Sequence, residues 1–198
     1  FSRAITPNGT PSPHLPWSPT EQEIFDAITD KRLDEDSMAH VPEGITARAF
    51  AAKVARDRLR PAVPDVDEYC DAEVNDSMYF TLFPNFHPWG AFNRINYRFR
   101  PVGTKVDECL MECIYTEDFE GDDRPPPAEY IELGIDQEWT ELIPVIGNLA
   151  RVFQQDSFNL PKVQKGLETF KADGLTLTKY QEVKIRHWHA MAERFIAN

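Results

Sequence analysis

The sequence predicts an α+β fold in which a curved antiparallel sheet wraps a long helix near the C-terminus. Two observations carry this. Three consecutive extended runs lie within residues 77–116, and a stretch with helical period follows them after an acidic, proline-rich break. A third observation bounds the answer: with 198 residues, 41% hydrophobic and 27% charged, the chain has room for one ordinary domain with a core, and is too short to expect two.

The first 17 residues, in FSRAITPNGTPSPHLPWSP, are crowded with proline and have no period of their own, which is the character of a loop or linker laid over something already folded. In SPTEQEIFDAITDKR, Ser18 stands as N-cap, Pro19 takes the first helical position, Glu21 closes a capping box, and Ile24, Phe25 and Ile28 share a face. A second helix is expected from near Thr46, carrying Phe50, Val54 and Leu59 until Pro61 ends it.

SMYFTLF, AFNRINYRFR and KVDECLMECIYT then read as antiparallel strands. In the second of them Ile95, Tyr97 and Phe99 alternate with Arg94, Asn96, Arg98 and Arg100, so the arginine face is expected to be a solvated surface. Residues 117–129, EDFEGDDRPPPAE, read as an exposed loop. The long helix has Pro144 near its start and Pro161 shortly after Asp156; a kink or break is expected there, because proline removes a backbone donor and crowds the preceding turn. A last helix, about residues 179–197, places Ile185, Trp188, Ala192 and Phe195 on one face.

The formal net charge of −12 argues against nucleic acid or an anionic membrane as the main partner. No apolar run is long enough to cross a bilayer, and the N-terminus lacks the basic start and apolar core of a secretory signal, so a cytoplasmic chain is expected. The three cysteines include no CxxC pair. Cys109 and Cys113, on one strand, would stand roughly 13 Å apart, too far to share a metal or a disulfide. Cys70, Cys109 and Cys113 are therefore read as buried or half-buried thiols in a reducing compartment.

The stretch RVFQQDSFNLPKVQKGL holds the residue that calls for explanation. Leu149, Phe153, Leu160, Val163 and Leu167 recur at alternating steps of three and four, the spacing of one helical face, and Asp156 falls on that face. A carboxylate in an apolar stripe must be wet, paired with an arginine or bound to a cation, since an unpaired buried charge costs several kcal/mol. Between sheet and helix the aromatic residues of the strand region, Tyr79, Phe80, Phe83, Phe86, Trp89 and Phe92, would either form core or suit a flat apolar ligand.

FQQDSFNLPKVQKGL, preceded by YFTLFPNFHPWGAFNRINYRF, resembles the C-terminal half of the catalytic domain of Rieske non-haem iron aromatic-ring-hydroxylating dioxygenase large (alpha) subunits, from roughly Asp71 onward. The resemblance implies a helix-grip, START-like domain, here incomplete at its N-terminal side. It also implies that Asp156 is the carboxylate of a 2-His-1-carboxylate site for mononuclear Fe(II), the geometry that leaves positions open for dioxygen beside a substrate. Tyr79, Trp89, Ile146, Val152 and Phe153 fall where the family lines its aromatic substrate, while Gln164 and Gly166 match the pattern without coordinating.

In that family the two histidines come from an upstream H-x4-H segment. No pair among His14, His40, His87, His187 and His189 has that spacing, and the cysteine–histidine pattern of a Rieske [2Fe–2S] cluster is absent too. The 198 residues thus read as the back portion of one catalytic domain. The resemblance further implies electrons from NAD(P)H through a reductase and a ferredoxin, and a homotrimer, with or without a beta subunit, for the full-length protein. The other reading the residues allow is a metal-free helix-grip domain that binds an apolar ligand.

Overall fold

The structure, a computed structural model, describes residues 1–90, 92–116, 122, 124 and 126–197. It is α+β, with small antiparallel sheets and helices, and it divides into two compact units, Phe1–Asn96 and Tyr97–Asn198.

In the first unit the opening stretch is not all loop. β1 (Ser2–Thr6) pairs antiparallel with β2 (Ser77–Thr81), Ser2 opposite Thr81 and Thr6 opposite Ser77. Five residues are too few to show a period, and their partner lies far along the chain, so nothing local announces the strand. Residues 7–17 are irregular, as expected.

α1 (Glu21–Ile28) is capped by Thr20, two residues later than the sequence reading placed it. The Thr20 hydroxyl accepts from the Glu23 amide at 3.2 Å, and the Glu23 carboxylate accepts from the Thr20 amide at 2.7 Å. Ser18–Glu21 and Thr20–Glu23 both satisfy the capping-box spacing; the second wins, and Glu21 is left to accept from the Ala47 amide at 2.6 Å. Thr20→Ala should lower stability by about 1 kcal/mol and Ser18→Ala should change it little, as read by urea unfolding. The reverse order would return the cap to Ser18.

α2 (Ala47–Leu59) starts where expected, with the Thr46 hydroxyl accepting from the Ala49 amide. Its alanines let the backbone approach its neighbours closely. Ala47 and Ala51 pack with buried Phe25, whose ring lies 5.0 Å from that of Phe50. Ala52 packs with Val66 and Val74, and Tyr69 meets Phe92 edge-on at 5.2 Å beside them. α3 (Asp71–Asn75) follows, and at its end Asp76 binds Arg48 through both carboxylate oxygens, at 2.6 and 3.0 Å. Asp76 also accepts from the Asn8 amide at 3.1 Å, which ties the N-terminal segment to α2 and α3.

β3 (Phe86–Pro88) folds back on β2, with Leu82 and Phe86 exchanging backbone hydrogen bonds around the FPN turn. β4 (Ile95–Pro101) and β5 (Cys109–Tyr115) complete a three-stranded sheet in the order β3-β4-β5. The strand predicted to start at Ala91 thus starts later, and Ala91 itself lies outside the described residues. The arginine face of β4 does look outward, but it is paired: Arg98 and Arg100 both bind Glu112 on β5.

The remaining elements are α4 (Trp139–Leu142), a 3-10 turn (Pro144–Ile146), α5 (Leu149–Thr169) and α6 (Val183–Ile196). Gly147, at φ 56°, makes the turn into α5, a conformation glycine adopts without penalty. α5 runs through Pro161 without the expected break. The carbonyl that loses its donor is that of Ser157, a half-buried residue with exposed neighbours on both sides. α6 begins a few residues later than anticipated. Of the loop expected over residues 117–129, residues 117–121, 123 and 125 lie outside the described residues and the rest carry no regular structure. Among the described residues, no helix is long and apolar enough to cross a membrane. All three cysteines are free. Cys113 is half-buried as expected, whereas Cys70, just before α3, and Cys109, at the start of edge strand β5, are exposed.

Candidate functional site

The first turns of α5 bring Phe153 and Asp156 to one side of the helix. Phe153 is 1% exposed and is the centre of the packing here. The ring of Tyr97, from β4, meets it edge-on at 5.3 Å and 86°, and the ring of Trp139, from the start of α4, leans on it at 5.2 Å and 43°. The Trp139 backbone N–H donates to the Gln154 side-chain oxygen at 2.7 Å, which locks α4 to α5. Ile146 and Ala150 are buried as well.

Asp156 lies one turn beyond Phe153. The stripe it belongs to is not buried along its length: Leu160, Val163 and Leu167 are all exposed, and Asp156 is an exposed residue too. Its carboxyl is nonetheless partly desolvated, and burial pushes its pKa above the usual carboxylate value. Among the described residues no basic side chain forms a salt bridge with it. The salt bridge to an arginine that would have explained the carboxylate is therefore not what the described residues make.

Tyr97, which feels the charge of Asp156, and Cys113, which also acts on Tyr97, stay protonated at neutral pH. Burial pushes the Cys113 thiol up to about 11. Burial first, then the neighbouring Cys113 and Asp156, push the Tyr97 phenol upward. The phenol is thus a neutral neighbour of the carboxylate, adding no charge beside it.

The five residues expected to line a substrate fall into two groups. In the first unit Tyr79 and Trp89 face each other across a β-bridge with rings 5.5 Å apart, and the Tyr79 hydroxyl lies 3.2 Å from the Thr6 hydroxyl. In the second unit Ile146 and Phe153 are buried, while Val152 is 40% exposed. Sequence reasoning missed Tyr97 and Trp139 as members of the site. For Tyr97 the signal was present, since the alternation of β4 sets it opposite the arginines. For Trp139 there was none, because the packing of its ring on Phe153 and its backbone bond to Gln154 leave no mark in spacing.

A mononuclear iron(II) site of the 2-His-1-carboxylate kind needs three donors on one side of the ion. Among the described residues no three or more histidines, cysteines, aspartates or glutamates gather so as to hold a metal. Asp156 has the donor chemistry for one place. His187 and His189 are exposed on α6, and the His87 Nδ1 lies 3.2 Å from the Thr81 hydroxyl. No complete set of three such donors stands together among the described residues.

The cross-strand pair on the other face of the sheet gives a pH signature. Hydrogen bonds from Arg98 and Arg100 hold the Glu112 carboxyl down at about 2. A carboxyl whose folded pKa is depressed stabilises the fold above its unfolded pKa and loses that contribution as pH falls through the folded value. The stability difference between the natural chain and Glu112→Gln should therefore be full at pH 6, shrink below about pH 4.5 and vanish near pH 2. High salt should reduce it at every pH. Urea midpoints across that range, equal for the two chains at pH 6, would show the pair contributes nothing.

Set against family models, curated proteins and solved structures, the chain finds no match in any of the three.

Proposed function

We propose that this chain is the C-terminal portion of the catalytic domain of a Rieske-type aromatic-ring-hydroxylating dioxygenase, and that Asp156 is the carboxylate ligand of its mononuclear iron(II). The observation that carries the reading is Asp156 itself, a carboxylate partly removed from water, raised in pKa by burial, and standing next to buried Phe153 in the motif FQQDSFNLPKVQKGL. A structural aspartate would be fully wet or paired with a base; a ligand needs to be partly desolvated and unpaired until the ion arrives.

In this reading the domain is a helix-grip fold with α5 as the gripped helix, and the two histidines lie in chain outside these residues. Iron, when bound, supplies dioxygen activation beside an aromatic substrate. Asp156 would hold one side of the ion and reduce its net charge, Phe153 would exclude water behind it, and Tyr97 would stand near the carboxylate without adding charge. Electrons reach such a protein from NAD(P)H through a reductase and ferredoxin, by way of a [2Fe–2S] cluster elsewhere in the protein. A homotrimeric, cytoplasmic enzyme is part of the same proposal.

The test is metal content. The 198-residue chain, purified after exposure to Fe(II) without oxygen, should retain no stoichiometric iron. A longer protein that adds an upstream H-x4-H segment should retain it. Iron held stoichiometrically by the short chain, or absent from the long one, would sink the reading.

A further inference from the structure

We propose that Asn8–Gly9 is a covalent modification site gated by the fold. While the turn around it is clasped the asparagine is inert; each opening of the clasp exposes it to deamidation, after which the turn no longer closes as before. The site lies in the first unit and does not draw on the iron reading.

The 198 residues contain one Asn-Gly pair. This is the dipeptide most prone to cyclise, because glycine has no side chain to shield its amide nitrogen or to restrict the backbone. The fold nevertheless requires both members. The Thr10 N–H donates to the Pro7 carbonyl at 3.2 Å, Gly9 has φ 80° and Asn8 keeps a negative φ, which together define a type II turn. A Cβ on residue 9 would also stand 2.6 Å from the Arg48 Cα, so glycine alone fits. The Asn8 Nδ2 donates to the Asn75 carbonyl at 2.7 Å and to the Ser77 hydroxyl at 3.4 Å, which an ionised aspartate, with no donor, cannot do.

The same contacts keep the pair from reacting. Ring closure needs the Asn8 side chain to lie over the Gly9 nitrogen, a ψ opposite in sign to the roughly +120° that a type II turn gives this residue. Turning ψ would break the bonds to the Asn8 carbonyl, which accepts from Arg48 at 2.7 Å and from the Asn75 Nδ2 at 3.1 Å. The Asn8 N–H is held as well, by Asp76 at 3.1 Å.

Once the clasp opens, the chemistry is self-contained. The Gly9 nitrogen attacks the Asn8 Cγ; the new N–Cγ bond forms, the Cγ–Nδ2 bond breaks, and ammonia leaves with the proton that Gly9 gives up. Water then opens the cyclic imide at either carbonyl, leaving an aspartyl or an isoaspartyl residue at position 8. Either product carries a carboxylate where an amide used to donate. It would face the Asn75 carbonyl and stand near the Asp76 carboxylate that binds the N–H of the same residue, so acceptor meets acceptor and like charge meets like. The isoaspartyl form also lengthens the main chain inside the turn.

The test is to incubate the chain at mildly alkaline pH, folded and in urea, then digest it and follow the peptide holding residue 8 by mass spectrometry, with isoaspartate detected by enzymatic methylation. In urea, position 8 should be modified before any other asparagine. In the folded chain it should change at least about tenfold more slowly, since only the open population reacts when opening is fast beside the chemistry. Asp76→Ala, which removes one anchor of the clasp, should speed the reaction of the folded protein by about tenfold or more. Asn8→Asp, which copies one product, should lower the urea midpoint. Equal rates in the folded and urea-unfolded chains would overturn the proposal, and so would the absence of any preference for position 8 in urea. An unchanged rate in a folded Asp76→Ala, or an unchanged midpoint for Asn8→Asp, would overturn it too. If Asp76→Ala does not fold, the other arms decide.

Discussion

Replacing Asp76 with alanine is expected to lower the stability of the first unit by about 3 kcal/mol, among the largest effects of any single polar substitution in the chain. The Asp76 side chain is 5% exposed and accepts from both terminal nitrogens of Arg48 and from the Asn8 backbone N–H. Removing the carboxylate leaves a guanidinium that is itself largely covered, at 27% exposure, with its other donor committed to the Asn8 carbonyl at 2.7 Å. The loss is therefore mainly the cost of an uncompensated charge and an unsatisfied amide, not the strength of the pair in isolation. Asp76→Asn keeps one acceptor oxygen and should recover part of the loss. Arg48→Lys should recover little, because an ammonium cannot span both carboxylate oxygens and the carbonyl together. The measurement is the urea midpoint with the slope held constant. A loss under 1 kcal/mol for Asp76→Ala would mean that the clasp is solvated and the N-terminal strand is held by β1–β2 pairing alone.

Asp156→Ala in the longer, iron-holding protein should lower iron affinity by at least about a hundredfold, since even outer partners of a metal ligand are worth ten- to a hundredfold and this group is proposed as a ligand itself. Ring-hydroxylating activity should fall with the iron. Stability without metal should not fall. A carboxyl whose folded pKa is raised above its unfolded value destabilises the fold when ionised, so removing Asp156 relieves a small cost at neutral pH and changes nothing in acid. Calorimetry of the metal-free proteins and iron analysis of the loaded ones separate the two effects. Retained iron with lost stability would make Asp156 a structural residue.

The elements visible in the sequence are those whose signals are local. α2 follows from Thr46 and Pro61, and β4 from its alternation, because caps, breakers and period 2 act over a few residues. β1 escaped because its reason for existing is β2, and the cap of α1 was misplaced because two overlapping boxes competed for one helix end. Asp156 was found as an anomaly in a periodic stripe, and the carboxyl is indeed partly desolvated. The burial of the whole stripe did not follow, since periodicity shows which residues share a face but not what covers it. Tyr97 could have been added from strand alternation. Trp139 could not, as its contacts with Phe153 and Gln154 leave no trace in spacing.

The displacement of the α1 cap has an effect on how the first unit assembles. Glu21, released from its own helix end, closes the start of α2 through the Ala47 amide. α1 therefore supplies the acceptor for one of the four unmatched donors that any helix beginning leaves open, and α2 cannot fully satisfy its first turn until α1 has formed. Neither helix is long enough to be stable alone in water. With Thr46 and Glu21 both engaged, the entropy of closing the chain between the two helices is lost once for a contact that nucleates both. The first unit should accordingly gain its two longest helices in a single cooperative step, with substitutions at Glu21 slowing the appearance of α2 as much as that of α1.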